Sequence, residues 1–302
     1  MPSKDRQSVD QPKNPSSPAQ APTRDLTCNE RVLSFSSPQL MGVLNITPDS
    51  FSDGGQLFNA AGVDLDAVRG QAHAMVAAGA AVLDIGGESS RPGAVAVSPA
   101  EEQRRVLPVL EALADLDVVL SVDTYHAATV RAAIDAGAGM INDITGGSDP
   151  AVVAAVADSG VAYALMHMQG SPQTMQQGPS YKNVVAEIAG YLALRVHECE
   201  QAGISVNRLI VDPGFGFGKS LQHNLDLLRQ LPELRVGNSP ILVGLSRKSM
   251  IGTITGQPVE KRLAGSLATV LLAAQNGANL IRVHDVEESA DVLAVFEACR
   301  AV

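Results

Sequence analysis

Residues 41–87 open with MGVLNIT (41–47), pass through LDAVRGQAHAMVAAG (65–79) and return to AAVLDIGG (80–87). The two outer runs are short and almost wholly apolar, as parallel strands covered on both faces are. Between them Leu65, Val68, Ala72, Met75 and Val76 recur at helical spacing. The glycine of AGA (78–80) stands where such a helix has to stop before the next strand. Together these runs make one strand–helix–strand unit.

The rest of the chain repeats that unit. Further β-type runs are DVVLSVDT (117–124), GMINDI (139–144), AYALMH (162–167), RLIVDPG (208–214), PILVGLS (240–246) and ANLIRVHD (278–285). Helical spacing returns at Val106, Val109, Leu110 and Leu113, again at Val184, Ile188, Tyr191, Leu192 and Leu194, and at Leu263, Leu267, Val270 and Leu271. NGA (276–278) is a second helix stop, and EESADVLAVFEACR (287–300) supplies the final helix. Eight βα units in roughly 250 residues predict an α/β fold of the (β/α)8 TIM-barrel type. A doubly wound open sheet is the competitor, but it would carry an edge strand of polar character, and none stands out. RVLSFSS (31–37) reads as an extra strand closing the barrel floor.

Composition narrows the partners. The 302 residues carry a net charge of −10, with 45% hydrophobic residues, enough for one good-sized core. No tryptophan and only 3% aromatics leave little for stacking on single-stranded nucleic acid. The acidic balance argues against duplex DNA and leaves room for a local cationic pocket. Cys28, Cys199 and Cys299 are scattered without a C-x-x-C pair, so neither a disulfide framework nor a zinc knuckle is expected, and a reducing cytoplasm is the simplest location. The N-terminus lacks an apolar h-region, and no apolar run reaches membrane-spanning length. Residues 1–25, rich in Pro, Ser and Gln, read as a flexible tail, and residues 26–302 as a single barrel domain.

Polar residues concentrate at the C-terminal ends of the strands: Asn45, Asp84 with Glu88, Asp123, Asn142 with Asp143, His167, Asp212, Ser246 with Arg247 and Lys248, and Arg282 with His284 and Asp285. In a parallel barrel all these ends open on one rim, where such enzymes keep their chemistry. A single strand-end Asp often only caps the next helix, and Asp143 and Asp285 are read that way. A purely structural barrel has no reason to desolvate the whole set at one rim. Strand alternation places Leu280, Arg282 and His284 on one face, and Val43, Asn45 and Thr47 on one face. With those odd positions inward, Asn45, Arg282 and His284 converge, a trio suited to a phosphate-bearing group and its divalent cation.

Pro213–Ser220, PGFGFGKS, ends in GKS but has Pro where a P-loop needs its first Gly, and its glycine spacing misses the dinucleotide fingerprint. It reads as a mobile loop offering backbone N–H groups and Phe faces. The loops 48–55 and 88–93 have the composition of lids. Zinc chemistry is not expected, since His73, His126, His197 and His223 have no partner at ligand spacing. Met166 and Met168 flank His167, and a strand-end Met is read as the wall of an apolar pocket.

MGVLNITPDSFSDGG, DIGGESSRPGA, SVDT, IND, MHMQGSPQTMQ, VDPGFGFGKS, GLSRKSMIG and RVHDV together resemble dihydropteroate synthase, from about Arg31 to the C-terminus. Ser90 stands where that family usually has Thr, which keeps the hydroxyl and drops a methyl contact. The resemblance implies a cytoplasmic, homodimeric transferase. It would condense p-aminobenzoate with (7,8-dihydropterin-6-yl)methyl diphosphate to give 7,8-dihydropteroate and diphosphate, on the way to tetrahydrofolate. It further implies that Asp123, Asn142, Asp212 and Lys248 hold the pterin, with Met166 packed on the ring. Asn45 would sit by Mg2+ and the diphosphate, with Ser90, Arg282 and His284 as anion ligands. Ser246, Arg91, Pro92 and Phe217 would frame the p-aminobenzoate slot, which sulfonamides also enter. Arg282, His284, Lys248 and Asp212 carry the catalytic assignment, in a mechanism where diphosphate departs first and the aniline nitrogen then attacks a pterin methylene cation. Nucleic acid and membrane are not expected partners. The alternatives are a pterin-barrel methyltransferase acting on a methylated folate, and a non-catalytic pterin-binding paralogue.

Overall fold

The structure, a computed structural model, describes residues 24–47, 57–59, 62–90, 93–94 and 96–300. In chain order its elements are a hairpin of β1 (Leu26–Cys28) and β2 (Arg31–Leu33), then β3 (Gln39–Asn45), β4 (Phe58–Asn59), β5 (Gly62–Val63) and α1 (Leu65–Ala77). There follow β6 (Ala80–Gly86), α2 (Pro99–Leu113), β7 (Val119–Asp123), α3 (Ala127–Asp135), β8 (Met140–Asp143), α4 (Pro150–Ala157), β9 (Ala162–Met166) and α5 (Val184–Gln201). The last third holds β10 (Leu209–Asp212), α6 (Leu221–Arg229), β11 (Leu242–Gly244), α7 (Ser249–Thr255), α8 (Leu263–Gln275), β12 (Leu280–Val283) and α9 (Val286–Arg300).

Eight strands form one parallel sheet in the order β10-β9-β8-β7-β6-β3-β12-β11. A parallel bridge between Val211 and Ile241 joins the two end strands, and Val211 N–H donates to the Pro240 carbonyl at 3.1 Å. The sheet is thus closed into the expected barrel, and the open-sheet alternative falls. The eight β runs read from the sequence all appear as barrel strands. The short helix α7, inserted before α8, was not anticipated.

Alternation along the strands sorts the core into two layers. Met41, Val82, Val119, Met140, Ala164, Ile210, Leu242 and Leu280 point inward and pack together. Leu44, Ile85, Val122, Ile141, Leu165, Val211, Val243 and Ile281 point outward against the helices. The β1–β2 hairpin sends Leu26, Cys28 and Leu33, together with Phe35, into the inner cluster. It therefore caps the floor, as the reading of residues 31–37 predicted. Arg24 is already tied to the folded unit, its N–H on the Asn238 carbonyl and its guanidinium on the Val206 carbonyl.

Local chemistry starts the helices where the pattern asks. Asp64, Ser98, Asp149, Asn183 and Ser220 each accept a backbone N–H from the first turn of α1, α2, α4, α5 and α6. Among the described residues no helix is long and apolar enough to cross a membrane.

Candidate active site

The floor of the rim is organised by a residue that sequence reading placed at a strand end but assigned no role. Asp84, on β6, is fully buried. Its carboxylate accepts from Ser121 Oγ at 2.7 Å, Asn142 Nδ2 at 3.1 Å and Arg282 Nε at 2.6 Å. Arg282, from β12, also donates from Nη2 to Asp123 Oδ2 at 3.1 Å. Four strands are thereby locked across the barrel mouth. The Arg282 side chain is 23% exposed while Asp84 is 0% exposed, so the guanidinium reaches upward from a buried acid.

Above this floor lies a cavity of about 490 Å³. Asn45, Ser90, Asp123, Phe217, Ser246, Lys248, Arg282 and His284 all line it, which brings most of the predicted set together. Asn142, Met166 and Asp212 are buried at the ends of β8, β9 and β10, outside that lining. Arg91, Pro92, Phe51 and the loop at 48–55 lie outside the described residues. Ser246 Oγ accepts from the His284 backbone N–H at 3.3 Å and stands 3.0 Å from His284 Nδ1, so β11 and β12 fix the imidazole between them. Lining residues that sequence reading left out are Thr47, Glu88, Ser89, Met175, Gln176 and Arg262. Of these Thr47 had a legible signal in sharing a strand face with Asn45, and Glu88 and Ser89 in standing at a strand end and in a lid-like loop, although none was given a role.

Two expectations of helix capping need correction. Asp143 caps no helix: it accepts from the N–H groups of Thr145 and Gly147 and from Tyr163 OH at 2.6 Å, while Asp149 caps α4. Asp285 precedes α9, but its carboxylate is taken by the Arg247 guanidinium in a two-pronged pair. Arg247 needs that hold, because it is a non-glycine residue at φ 57° between Ser246 and Lys248. Its N–H donates to Ser266 Oγ, and its carbonyl accepts from Arg262.

The loop 213–220 also differs from its reading. Three of its N–H groups are taken internally: Gly214 N–H donates to Asp212 Oδ1 at 2.7 Å, Gly216 N–H to Asn224 Oδ1 at 2.8 Å and Phe217 N–H to the Gly214 carbonyl at 3.1 Å. Lys248 donates to the Phe215 carbonyl and sits 4.8 Å over the Phe217 ring. His126 pairs with Glu88 at 3.1 Å and His223 completes a capping box with Ser220, which accounts for two of the histidines set aside as metal ligands. Among the described residues no group of three His, Cys, Asp or Glu side chains could hold a metal.

Burial sets the protonation states. It pushes the Asp123 carboxyl up to about 7, with Asp84 adding to the rise and Arg282 opposing it. The Asp212 carboxyl is raised for the same reason. Burial also brings the Lys248 ammonium down to about 8, against the pull of Asp212. Arg282 is raised, because Asp84 and Asp123 outweigh its desolvation. A consequence follows for pH dependence. Lys248 is a charged donor below about 8 and loses that proton as the pH rises through it. Any kcat/KM that needs this ammonium should fall on the alkaline side near pH 8, and Lys248→Arg should move that limb out of range. An unchanged alkaline limb in Lys248→Arg would show that another group sets it.

A closed parallel barrel whose rim gathers buried carboxylates, an ammonium, a guanidinium and an imidazole at one cavity has the make-up of an enzyme site. The model of the pterin-binding enzymes matches residues 41–284. The dihydropteroate synthase of Escherichia coli strain K12 is 49% identical over 267 residues, 88% of this chain and 93% of that one. The Yersinia pestis dihydropteroate synthase, solved in a sulfonamide drug complex, superposes with a TM-score of 0.88 at 47% identity, covering 92% of this chain and all of that one. The Xanthomonas albilineans enzyme with 4-aminobenzoic acid gives 0.84 at 48% identity, covering 93% and 99%. The chain belongs to the pterin-binding enzymes, and within them to the dihydropteroate synthases.

Proposed function

We propose that this chain condenses p-aminobenzoate with (7,8-dihydropterin-6-yl)methyl diphosphate, yielding 7,8-dihydropteroate and diphosphate. The observation that carries the reading is one cavity lined by Asp123, Lys248, Arg282 and His284, with Asn142 and Asp212 buried at the neighbouring strand ends. Asp212, with one oxygen held by Gly214, turns the other to the N–H edge of the pterin, and Lys248 leaves the Phe215 carbonyl to donate to the pterin carbonyl. Met166, at the end of β9, covers the ring face.

The bond between the methylene carbon and the diphosphate oxygen breaks first, and its electron pair leaves with the oxygen. Arg282 and His284 stabilise that growing negative charge. The aniline nitrogen of p-aminobenzoate then forms the new C–N bond and sheds one proton. Ser246 and Phe217 frame the slot where this amine waits, which sulfonamides would also enter, while Ser90 joins Arg282 and His284 at the diphosphate. Asn45, offering one amide oxygen at the cavity wall, suits a hydrated Mg2+ that arrives on the substrate phosphates better than a resident metal. When bound, that ion would neutralise charge on the leaving diphosphate.

A homodimer fits the exposed apolar side chains of α8 and α9, Leu263, Leu272 and Val295. A reducing cytoplasm fits Cys28 and Cys199, whose buried thiols are pushed up to about 12 and about 11.

The test is direct. The protein incubated with the pterin diphosphate, p-aminobenzoate and Mg2+ should form dihydropteroate without any corrinoid partner. Tight pterin binding with no product would instead favour a non-catalytic role, and a requirement for a methylated folate and a corrinoid protein would favour methyl transfer.

A further inference from the structure

The four successive carbonyls of the glycine loop each accept from a side chain. Lys248 donates to Phe215, Gln176 Nε2 to Gly216 at 2.5 Å, Lys219 Nζ to Phe217 at 2.9 Å and Tyr181 OH to Gly218 at 2.8 Å. Of these donors only Lys219 is buried, at 3% exposure. Its ammonium also meets His167 Nδ1 at 3.0 Å and the His167 carbonyl at 3.2 Å. With Lys219 donating, Nδ1 is the acceptor and the neutral imidazole carries its proton on Nε2. His167 is itself fixed, its N–H on the Asp212 carbonyl and its ring edge-on to Tyr191 at 4.9 Å. One buried lysine amine therefore ties the loop to the end of β9. The chemistry of the preceding subsection gives this residue nothing to do.

A buried lysine without a carboxylate in hydrogen-bond contact is costly to keep. Burial accordingly lowers Lys219 to about 7 and His167 to about 3. What the arrangement holds in place is Phe217. Of the other holds, Lys248 on Phe215 is the one that turns to the substrate, and Gln176 and Tyr181 reach the loop from outside the barrel mouth's buried set.

We propose that Lys219 is a positioning residue for p-aminobenzoate: it clamps the Phe217 carbonyl against the His167 end of β9 and so presets the slot wall while Lys248 serves the pterin. The proposal rests on the reading that Phe217 frames that slot. Lys219 touches no reacting atom, and its role runs through the loop.

Lys219→Met, which keeps the bulk and removes the donors, should raise KM for p-aminobenzoate about tenfold or more. KM for the pterin diphosphate and kcat should stay within about threefold. Hydrogen exchange of the Gly216–Gly218 amides should accelerate, with the β6–β8 amides unchanged. His167→Asn, whose amide oxygen can replace Nδ1, should keep most of the p-aminobenzoate affinity, and His167→Leu should lose it. Equal increases in both KM values, or unaltered loop exchange in Lys219→Met, would overturn the proposal. Absence of dihydropteroate from the wild type would sink the synthase reading instead. The exchange measurement needs no substrate and would then decide on its own whether Lys219 orders the loop.

Discussion

Arg282→Ala is expected to lower turnover by about 10²-fold or more, the scale for removing one preorganised charge donor from a developing oxyanion. The same substitution should destabilise the fold by about 3–5 kcal/mol, because it strands a charge on Asp84, which is 0% exposed. The two effects can be separated. Asp84→Asn added to Arg282→Ala removes the stranded charge and keeps partners for Ser121 and Asn142. It should recover most of the denaturation midpoint and none of the turnover. Near-normal turnover in Arg282→Ala would remove this residue from leaving-group stabilisation; a double variant as unstable as the single would refute the stranded-charge account.

Gly214→Ala should be nearly as damaging, although the residue has no side chain to lose. Gly214 sits at φ +68°, where an L-residue costs about 1–2 kcal/mol. A Cβ there would lie 2.0 Å from the His167 carbonyl oxygen, and a backbone oxygen cannot rotate out of the way. The loop has to lift off β9, which breaks the 2.7 Å bond from Gly214 N–H to Asp212 and displaces the Phe215 carbonyl from Lys248. Misplacing Asp212 and Lys248, the two groups proposed to face the pterin, by about 1 Å is expected to cost turnover about 10²-fold. Soluble protein with wild-type kinetics and melting temperature would show that the loop can be carried in another conformation.

The barrel was legible because parallel strands buried on both faces leave a strong trace: a short apolar run with polar residues only at its C-terminal end. Eight such runs admit few topologies. The rim membership of Asn45, Arg282 and His284 was legible for the same reason, through alternation along β3 and β12. The contacts among rim residues were not. Asp84 and Arg282 are 198 residues apart, and only barrel closure and strand register bring them together. Asp285 looked like a cap because its partner, Arg247, depends on a left-handed backbone that sequence pattern does not announce. Loop 213–220 was legible only in part: Phe217 does face the cavity, but glycines indicate an unusual backbone and not which N–H groups bond internally.

The closure of the barrel has a mechanical consequence. The wall between β10 and β11 is held by a single bridge, Val211 to Ile241, where the other neighbours share runs of paired residues. This is the seam of the cylinder, and local opening is cheapest where the ladder is shortest. At its upper end the seam is laced by one side chain, Lys248 reaching from beyond β11 to the Phe215 carbonyl beyond β10. In the proposed reaction, a pterin drawing Lys248 toward Asp212 would replace one lace with another anchored on the same strand, and the seam would stay tied through the exchange. Occupancy of the site and integrity of the wall are then coupled through a single ammonium group.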